Sequence, residues 1–213
     1  MEKVVLIGAG PHAKVIADML LQMPQYEVVG LIDPEIKMGF MGLKILGNDD
    51  CLDELFNEGV HKAFVSIGSN EIRKKVFYKV KEIGFEMINI ISANAIVSSY
   101  AKLGQGIAIM PGAIVNAFTQ IKDGCILNTN CSIDHDGSID EFVHVAPGSA
   151  IAGSVSIGEK TFCGVGTRII DGIKVGNNVV IGAGSVVIKD IKDDMKVVGI
   201  PATPIDVREN KNE

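Results

Sequence analysis

The chain has 213 residues, of which 47% are hydrophobic, and its formal net charge is -6 at pH 7. This length allows one large domain or two small ones, while the negative charge and the lack of a basic stripe with aromatic residues argue against a nucleic-acid partner. No apolar run reaches the length of a membrane span and no hydrophobic leader precedes the first strand, so we expect no membrane insertion and a cytoplasmic location.

The first part of the chain alternates predicted strands and helices. Strands are predicted at residues 4–8, 26–33, 63–68 and 87–91, and helical segments at 12–22, 49–58 and 70–84. Such alternation indicates a parallel sheet covered by helices. Residues 1–91 are therefore predicted to form a small Rossmann-like α/β domain.

The motif GAGPHA, residues 8–13, directly follows the first predicted strand. Glycines let the backbone approach a phosphate, and the helix that follows offers free N–H groups. Asp33 lies at the end of the next strand, twenty residues after Ala13. The motif alone does not show whether the ligand is NAD or a sugar nucleotide. It also fits a tight strand-to-helix turn with a purely structural role. The small size of this domain, about half of a full dinucleotide-binding fold, argues against NAD.

From Val97 onward, an apolar residue returns at every sixth position. The series runs to Val187 through sixteen positions, of which fifteen are aliphatic and one is Cys163. Three places after these positions the chain favours glycine, asparagine and aspartate, which accept left-handed corners. A six-residue period fits a solenoid, in which each hexapeptide supplies one short strand and one turn. We predict an all-β parallel helix at 92–205, followed by a polar tail at 206–213.

Polar side chains crowd this repeat at residues 129–140, TNCSIDHDGSID, where His135 stands between two aspartates. If Ile133 points inward, the alternation along the strand places Asp134 outward and His135 at the start of a corner. A neutral imidazole there can take a proton from an attacking amine or hydroxyl, and an adjacent carboxylate can orient the ring. The residues alone also allow a corner of ordinary surface side chains.

The hexapeptide array, which ends in VVGIPATPI at 197–205, resembles the left-handed parallel β-helix of the hexapeptide acyltransferases. With GAGPHA, SIGSNEIRKK at 66–75 and NTNCSIDHD at 128–136, the chain resembles the bacterial nucleotide-sugar acetyltransferases that N-acetylate UDP-4-amino-4,6-dideoxy sugars, together with the related sialic acid O-acetyltransferases. The resemblance implies three hexapeptides per left-handed coil and a homotrimer with active sites between subunits. It also implies acetyl-CoA as co-substrate, with no permanently bound cofactor and no metal.

The resemblance further assigns individual residues. His135 would be the general base and Asp136 its acidic partner. Acetyl-CoA would contact His144, Gly153, Val165, Ala183, Gly199 and Pro201. The nucleotide-sugar site would contain Gly10, Pro11, His12, Asp33, Gly68, Asn70 and Asn128, with Arg73 close to them. Because Thr203 stands where relatives often carry a basic residue, the partner of the CoA phosphates is either Arg208, a lysine such as Lys189 or Lys196, or missing.

Three functions remain open at this point. The leading hypothesis is N-acetylation of an amino sugar, and the second is O-acetylation of a sialic acid or another sugar hydroxyl. The third, from a different class, is a non-catalytic nucleotide-sugar-binding scaffold. The four cysteines, Cys51, Cys125, Cys131 and Cys163, have no metal-ligand spacing, and we expect buried free thiols. None of them neighbours a histidine in the chain, which favours direct transfer without an acyl-enzyme.

Overall fold

Two kinds of parallel sheet follow each other along the chain. The computed structural model describes residues 1–205, in which a five-stranded sheet is followed by sheets of six, five and eight strands. The polar tail, 206–213, lies outside the described residues, and so does Arg208, one of the three candidates for the CoA phosphates. Within the described part of the chain, no helix combines the length and apolar character that a membrane crossing requires.

The first sheet and its helices occupy the N-terminal part of the chain. Its strands are β1 (Glu2–Ile7), β2 (Tyr26–Ile32), β3 (Ile45–Gly47), β4 (Lys62–Val65) and β5 (Glu86–Met87). The helices are α1 (Pro11–Leu21), α2 (Leu52–Asn57) and α3 (Asn70–Ile83), and a short 3-10 helix at Asp49–Cys51 precedes α2. All strand pairs are parallel, in the order β3-β2-β1-β4-β5. The order reverses beside β1, and such a switch point opens a crevice at the carboxyl ends of the strands.

Sequence signals define the helix ends that flank this crevice. Pro11 opens α1 directly after Gly10, and proline suits this position because the N–H it lacks would have no partner within the helix. Before α3, the Ser69 hydroxyl accepts a hydrogen bond from the N–H of Ile72. The helix ends at Gly84, whose φ of +116° is left-handed. The first turns of both helices therefore present free N–H groups towards the crevice.

The predicted strand at 87–91 is wrong as a single element. It consists of β5, which pairs with β4, and of β6 (Ile90–Ile91), which belongs to the solenoid that follows. The apolar letters of both short strands look alike, but Ile91 lies six residues before Val97 and continues the hexapeptide series backward. The division into two domains remains our proposal, and in the structure the change of sheet comes between Met87 and Ile90.

The remaining strands form three faces of a left-handed β-helix. The first face contains β6, β9 (Ala108–Ile109), β12 (Ile126–Leu127), β15 (His144–Val145), β18 (Phe162–Cys163), β21 (Val180–Ile181), β23 (Lys196–Val198) and the antiparallel β24 (Thr203–Pro204). The second face contains β7 (Ile96–Val97), β10 (Ile114–Val115), β13 (Ser132–Ile133), β16 (Ala150–Ile151), β19 (Arg168–Ile169) and β22 (Val186–Val187). The third face contains β8 (Lys102–Leu103), β11 (Gln120–Ile121), β14 (Ser138–Ile139), β17 (Ser156–Ile157) and β20 (Lys174–Val175). Strands pair with a sequence offset of 18, as in Ile114 with Ser132, so three hexapeptides make one coil.

The six-residue series forms the core of this solenoid. Every position of the series from Ile109 to Val187 is buried, and these side chains form one continuous cluster. Val97 and Leu103, the first two positions, are only partly buried because β7 and β8 each have a neighbouring strand on one side only. The prediction of an inward aliphatic position is therefore confirmed.

The corners use the left-handed conformation that the sequence suggested. All ten glycine, asparagine and aspartate residues predicted at the corners have positive φ; they are Gly106, Gly112, Gly124, Asn130, Asp136, Gly148, Gly166, Gly172, Asn178 and Gly184. The same place also holds two phenylalanines, Phe118 and Phe142, in which a bulky side chain makes positive φ costly. Phe142 is fully buried, and its ring packs against Phe77 and Tyr78 of α3 at centroid distances of 5.3 and 5.6 Å.

The N-terminal domain packs on the first face of the solenoid. Ile16 and Leu20 of α1 share one buried cluster with Ala108 and Ile126 of that face. Phe142, at the corner between the third and first faces, forms a second contact, because it shares another buried cluster with residues of the N-terminal domain. The two parts of the chain therefore share buried apolar surface, which places the crevice next to the solenoid.

Removing one inward side chain tests whether the core series stabilises the protein. Leu127→Ala should lower the free energy of unfolding by about 2–5 kcal/mol, because Leu127 is fully buried between two coils. The matched control is Leu21→Ala at the end of α1, where the side chain is 50% exposed and the change should stay within about 0.5 kcal/mol. Urea unfolding at one fixed protein concentration measures both, and equal effects would contradict this account of the core.

Candidate functional site

A cavity of about 600 Å³ occupies the crevice of the N-terminal domain. It is lined by residues that follow β1, β2 and β4 and by the first turns of α1 and α3. Five of the eight predicted nucleotide-sugar contacts lie in its lining: Gly10, Pro11, His12, Asp33 and Gly68. Sequence reasoning missed other lining residues, among them Glu35, Asp49 and Ser66, because no spacing marks them. A cavity at a switch point, beside helix N-termini, suits a ligand that carries phosphates.

Asp33 ties together the two loops at this cavity. One carboxylate oxygen accepts from the N–H of Ala9 at 2.8 Å, and the other accepts from the N–H groups of Glu35 and Ile36 at 2.9 Å. Partial burial would raise the pKa of Asp33, but hydrogen bonds from Ile36, Ala9 and Glu35 outweigh it and lower the pKa below its ordinary value. Asp33 is thus ionised at neutral pH and holds the shape of the cavity.

Three predicted nucleotide-sugar contacts, Asn70, Arg73 and Asn128, do not line the cavity. The Asn70 amide donates to the carbonyl of Lys160 at 2.9 Å. Arg73 is 1% exposed and donates only to protein acceptors. Asn128 lies 3.2 Å from the His144 ring. The role of these three residues in nucleotide-sugar binding stays a prediction, and in the structure their side chains are hydrogen-bonded within the protein.

His135 lies at the corner between the second and third faces. Its Nδ1 lies 2.9 Å from an Asp136 oxygen, and both side chains are more than half exposed. Asp134 accepts from the N–H of His135 at 2.8 Å and from the Asn116 amide at 2.9 Å. The hydrogen bond that His135 donates to Asp136, and then the charge of Asp134, raise the pKa of His135 above its ordinary value. The carboxylate accepts from Nδ1–H, so Nε2 of the neutral ring is free to accept a proton.

Gly153 has no side chain, and this leaves room for the His135 ring. A Cβ atom at position 153 would lie 2.6 Å from Cε1 of His135 and 2.8 Å from a carboxylate oxygen of Asp171. Such distances exclude a side chain there unless the ring moves. Gly153 had been predicted as an acetyl-CoA contact, and the structure gives it a second reason to be glycine.

His144 has an environment opposite to that of His135. It lies on the first face, is 8% exposed, and contacts His12 and Phe162 at centroid distances of 6.2 and 5.2 Å. Burial, then the charge of Arg73, then His12 lower the pKa of His144 to about 3. Burial and then Arg73 lower the pKa of His12 to about 4. Both rings are therefore neutral at pH 7.

The hydrogen bonds of Asn128 define the tautomer of His144. The Asn128 carbonyl oxygen accepts from the N–H of Thr129 at 2.8 Å, which turns the amide nitrogen towards Nε2 of His144. Nε2 therefore accepts and Nδ1 carries the proton. Among residues 1–205, this Nδ1 and Nε2 of His12 have no hydrogen-bond partner. The two unpaired nitrogens lie between the cavity and the solenoid.

The remaining predicted acetyl-CoA contacts lie elsewhere on the chain. Val165 and Ala183 are exposed at the corner between the first and second faces, and Gly199 and Pro201 are exposed after β23. Gly153 lies at the next corner, so the whole width of the second face separates it from Val165 and Ala183. One chain alone does not bring these residues together. Lys189 and Lys196, the other candidates for the CoA phosphates, are exposed near the same end of the solenoid as Gly199.

Three of the four cysteines are unsuited to nucleophilic catalysis. Cys125, Cys131 and Cys163 are buried, and burial raises the pKa of each thiol to about 12. At neutral pH they are protonated, and the thiolate is the reactive form. These three side chains belong to the solenoid core, whereas Cys51 is only partly buried, so the expectation of buried thiols is confirmed for three of the four cysteines.

Comparisons with known proteins agree with this architecture. The family model described as PglD N-terminal domain matches residues 3–80. The structure of PerB from Caulobacter crescentus, in complex with CoA and GDP-perosamine, is 38% identical, with 96% of this chain and 98% of that chain covered and a TM-score of 0.92.

Two further solved structures extend this comparison. The acetyltransferase domain of PglB from Neisseria gonorrhoeae, in complex with acetyl coenzyme A, is 36% identical; 96% of this chain and 99% of that chain are covered, with a TM-score of 0.92. WeeI from Acinetobacter baumannii shares the fold. It is 22% identical; 96% of this chain and 100% of that chain are covered, with a TM-score of 0.87. The chain therefore belongs to the nucleotide-sugar N-acetyltransferases of the hexapeptide-repeat superfamily, which use acetyl-CoA as co-substrate.

Proposed function

We propose that this enzyme transfers the acetyl group of acetyl-CoA to the amino group of a nucleotide-linked 4-amino-4,6-dideoxy sugar, with His135 as general base. The observation that carries the proposal is the exposed His135–Asp136 pair, whose ring keeps Nε2 free. The ligands of PerB, CoA and GDP-perosamine, support the donor and the class of acceptor. Assays with UDP-linked and GDP-linked acceptors decide the carrier nucleotide, for which the sequence resemblance favours UDP.

In the proposed reaction the free amine of the sugar attacks the thioester carbon of acetyl-CoA. Nε2 of His135 takes a proton from the amine as the C–N bond forms, and Asp136 stabilises the imidazolium through Nδ1. The C–S bond then breaks, and the proton passes to the departing thiolate of CoA. Gly153 lies beside the ring, and its N–H donates to no group among residues 1–205. This N–H is the candidate donor to the oxyanion.

We further propose that acetyl transfer is direct. The three buried thiols have pKa values of about 12, so no acyl-cysteine is expected on them. Thiols kept in the reduced state also fit a cytoplasmic location, which is part of this proposal.

The proposed enzyme is a homotrimer whose active site combines two chains. The N-terminal domain covers the first face, whereas His135 lies at the opposite corner, between the other two faces. An acceptor held in the cavity of one chain therefore meets the His135 of a neighbouring chain. Tyr100 and Phe118, which are 66% and 62% exposed and whose tilted rings lie 5.5 Å apart, offer apolar surface for this contact along the His135 corner.

Removing the imidazole tests the general base. His135→Ala should lower kcat by about 10²- to 10⁴-fold and leave the Kd of acetyl-CoA nearly unchanged. Release of free thiol from acetyl-CoA in the presence of the amino sugar measures kcat, and calorimetry measures the Kd. The control is His61→Ala, at a histidine remote from both sites. An unchanged kcat in His135→Ala would remove His135 from the mechanism.

The pKa of His135 tests the role of its carboxylate partner. Because Asp136 is the largest cause of the raised pKa, Asp136→Asn should lower the pKa of His135, whereas Asp171→Asn should lower it less. NMR titration of the ring Cε1–H in both variants measures the shifts, with His135→Ala assigning the signal. Equal shifts in the two variants would show that the 2.9 Å contact does not set the pKa.

Mixing two inactive variants tests the shared active site. Gly10→Trp should block the cavity without backbone strain, because a Cβ at this position meets no atom within 4 Å. If each site needs one intact cavity and one intact His135 from different chains, each mixed trimer has one intact site, and a randomly assembled equal mixture with His135→Ala should regain about one quarter of the wild-type activity overall. Co-expression followed by the thiol-release assay measures this, and a site within one chain would give no recovery.

A further inference from the structure

Arg73 is the largest fully buried side chain of the protein, and it has no carboxylate partner among residues 1–205. All of its hydrogen bonds go to neutral acceptors. Nε donates to Gly124 at 2.8 Å, Nη1 to Ile67 and Gly68 at 3.0 Å, and Nη2 to Asn70 at 2.7 Å and Phe142 at 2.9 Å. Burial lowers its pKa to about 10, so the guanidinium is charged at neutral pH. A buried charge without a counter-charge is costly, and its retention needs a reason.

The acceptors of Arg73 come from both parts of the chain. The carbonyls of Ile67 and Gly68 belong to residues that line the cavity. The carbonyls of Gly124 and Phe142 lie on two consecutive coils of the solenoid, 18 residues apart, at the corner beside the N-terminal domain. The planar guanidinium thus fastens one wall of the cavity to the solenoid.

The charge of the cavity itself is unfavourable for an anion. Its lining includes the carboxylates of Asp33, Glu35 and Asp49, and no lysine or arginine is among the lining residues that the structure describes. The charge of Arg73 reaches the cavity, because it helps to lower the pKa of His12, which lies in the lining. A nucleoside diphosphate in the cavity would supply the negative charge that Arg73 lacks.

The hydrogen bond from Arg73 to Ile67 also affects a backbone N–H group of the cavity wall. The Ile67 carbonyl, which accepts from Nη1, belongs to the same peptide group as the N–H of Gly68. That N–H donates to no other group among residues 1–205. A carbonyl that accepts from a cation polarises its own peptide group, so this N–H becomes a stronger donor to a phosphate oxygen.

We propose that Arg73 is a positioning residue, which fixes the wall of the acceptor cavity against the solenoid and whose charge favours a diphosphate in that cavity without contact. The inference rests on the proposed nucleotide-linked acceptor. It assigns diphosphate recognition to a buried cation behind the wall.

The test compares ligands that differ only in charge. Binding of UDP, GDP, uridine and guanosine is measured by calorimetry for wild type, Arg73→Gln and Arg73→Lys. Arg73→Gln should weaken the diphosphate that wild type binds by about tenfold, more at low salt, and should change nucleoside binding much less. The matched control is Lys75→Gln, which removes an exposed charge from the same helix and should leave all four affinities unchanged.

Arg73→Lys separates charge from geometry. It keeps the charge but loses the planar fork, so the ratio of diphosphate to nucleoside affinity should stay within about threefold of wild type while kcat falls. This variant also decides the matter if Arg73→Gln fails to fold. A lost ratio in Arg73→Lys, or equal losses for diphosphate and nucleoside in Arg73→Gln, would overturn the inference.

The outcome for wild type separates this inference from the proposed function. If wild type binds neither UDP nor GDP, the nucleotide-linked acceptor fails, and the inference fails with it. If wild type binds a diphosphate and a folded Arg73→Gln binds it equally well, only the role of Arg73 is refuted.

Discussion

The stacking of one aliphatic side chain on its counterpart 18 residues away is the constraint on which this structure depends. It fixes the register of all three faces, because a shift by one residue would turn every inward side chain outward. Each strand needs only two residues, since the corners supply the rest of each hexapeptide. The solenoid is therefore a rigid support on which outward side chains can vary without loss of the core.

The corners are the places where this support carries chemistry. Most corners need one residue with positive φ, and they usually meet this need with glycine or asparagine. Asp136 satisfies it and also holds the His135 ring, so the catalytic pair that we propose adds no irregularity to the repeat. Phe142 satisfies it at a steric cost, which its burial against α3 offsets.

The two histidines of the site show how one fold creates two electrostatic environments. His135 is exposed beside carboxylates, and its pKa is raised. His144 is buried near the Arg73 guanidinium, and its pKa is lowered to about 3. The first ring can exchange a proton near neutral pH, whereas the second remains a neutral hydrogen-bonding group. The position of each residue relative to the docked domain makes the difference, since both lie on the same short repeat.

The sequence by itself determined the repeat, its inward positions and the corners, because a period of six is a local property that ninety residues keep without interruption. It also determined the α/β character of the first part and placed His135 on the surface beside Asp136. The tertiary structure alone decided that Arg73 and Asn128 lie between the domains and that His144 is buried. It also divided the predicted strand at 87–91 between two sheets. These features depend on how the N-terminal domain packs on the first face, and long-range packing leaves no period in the sequence.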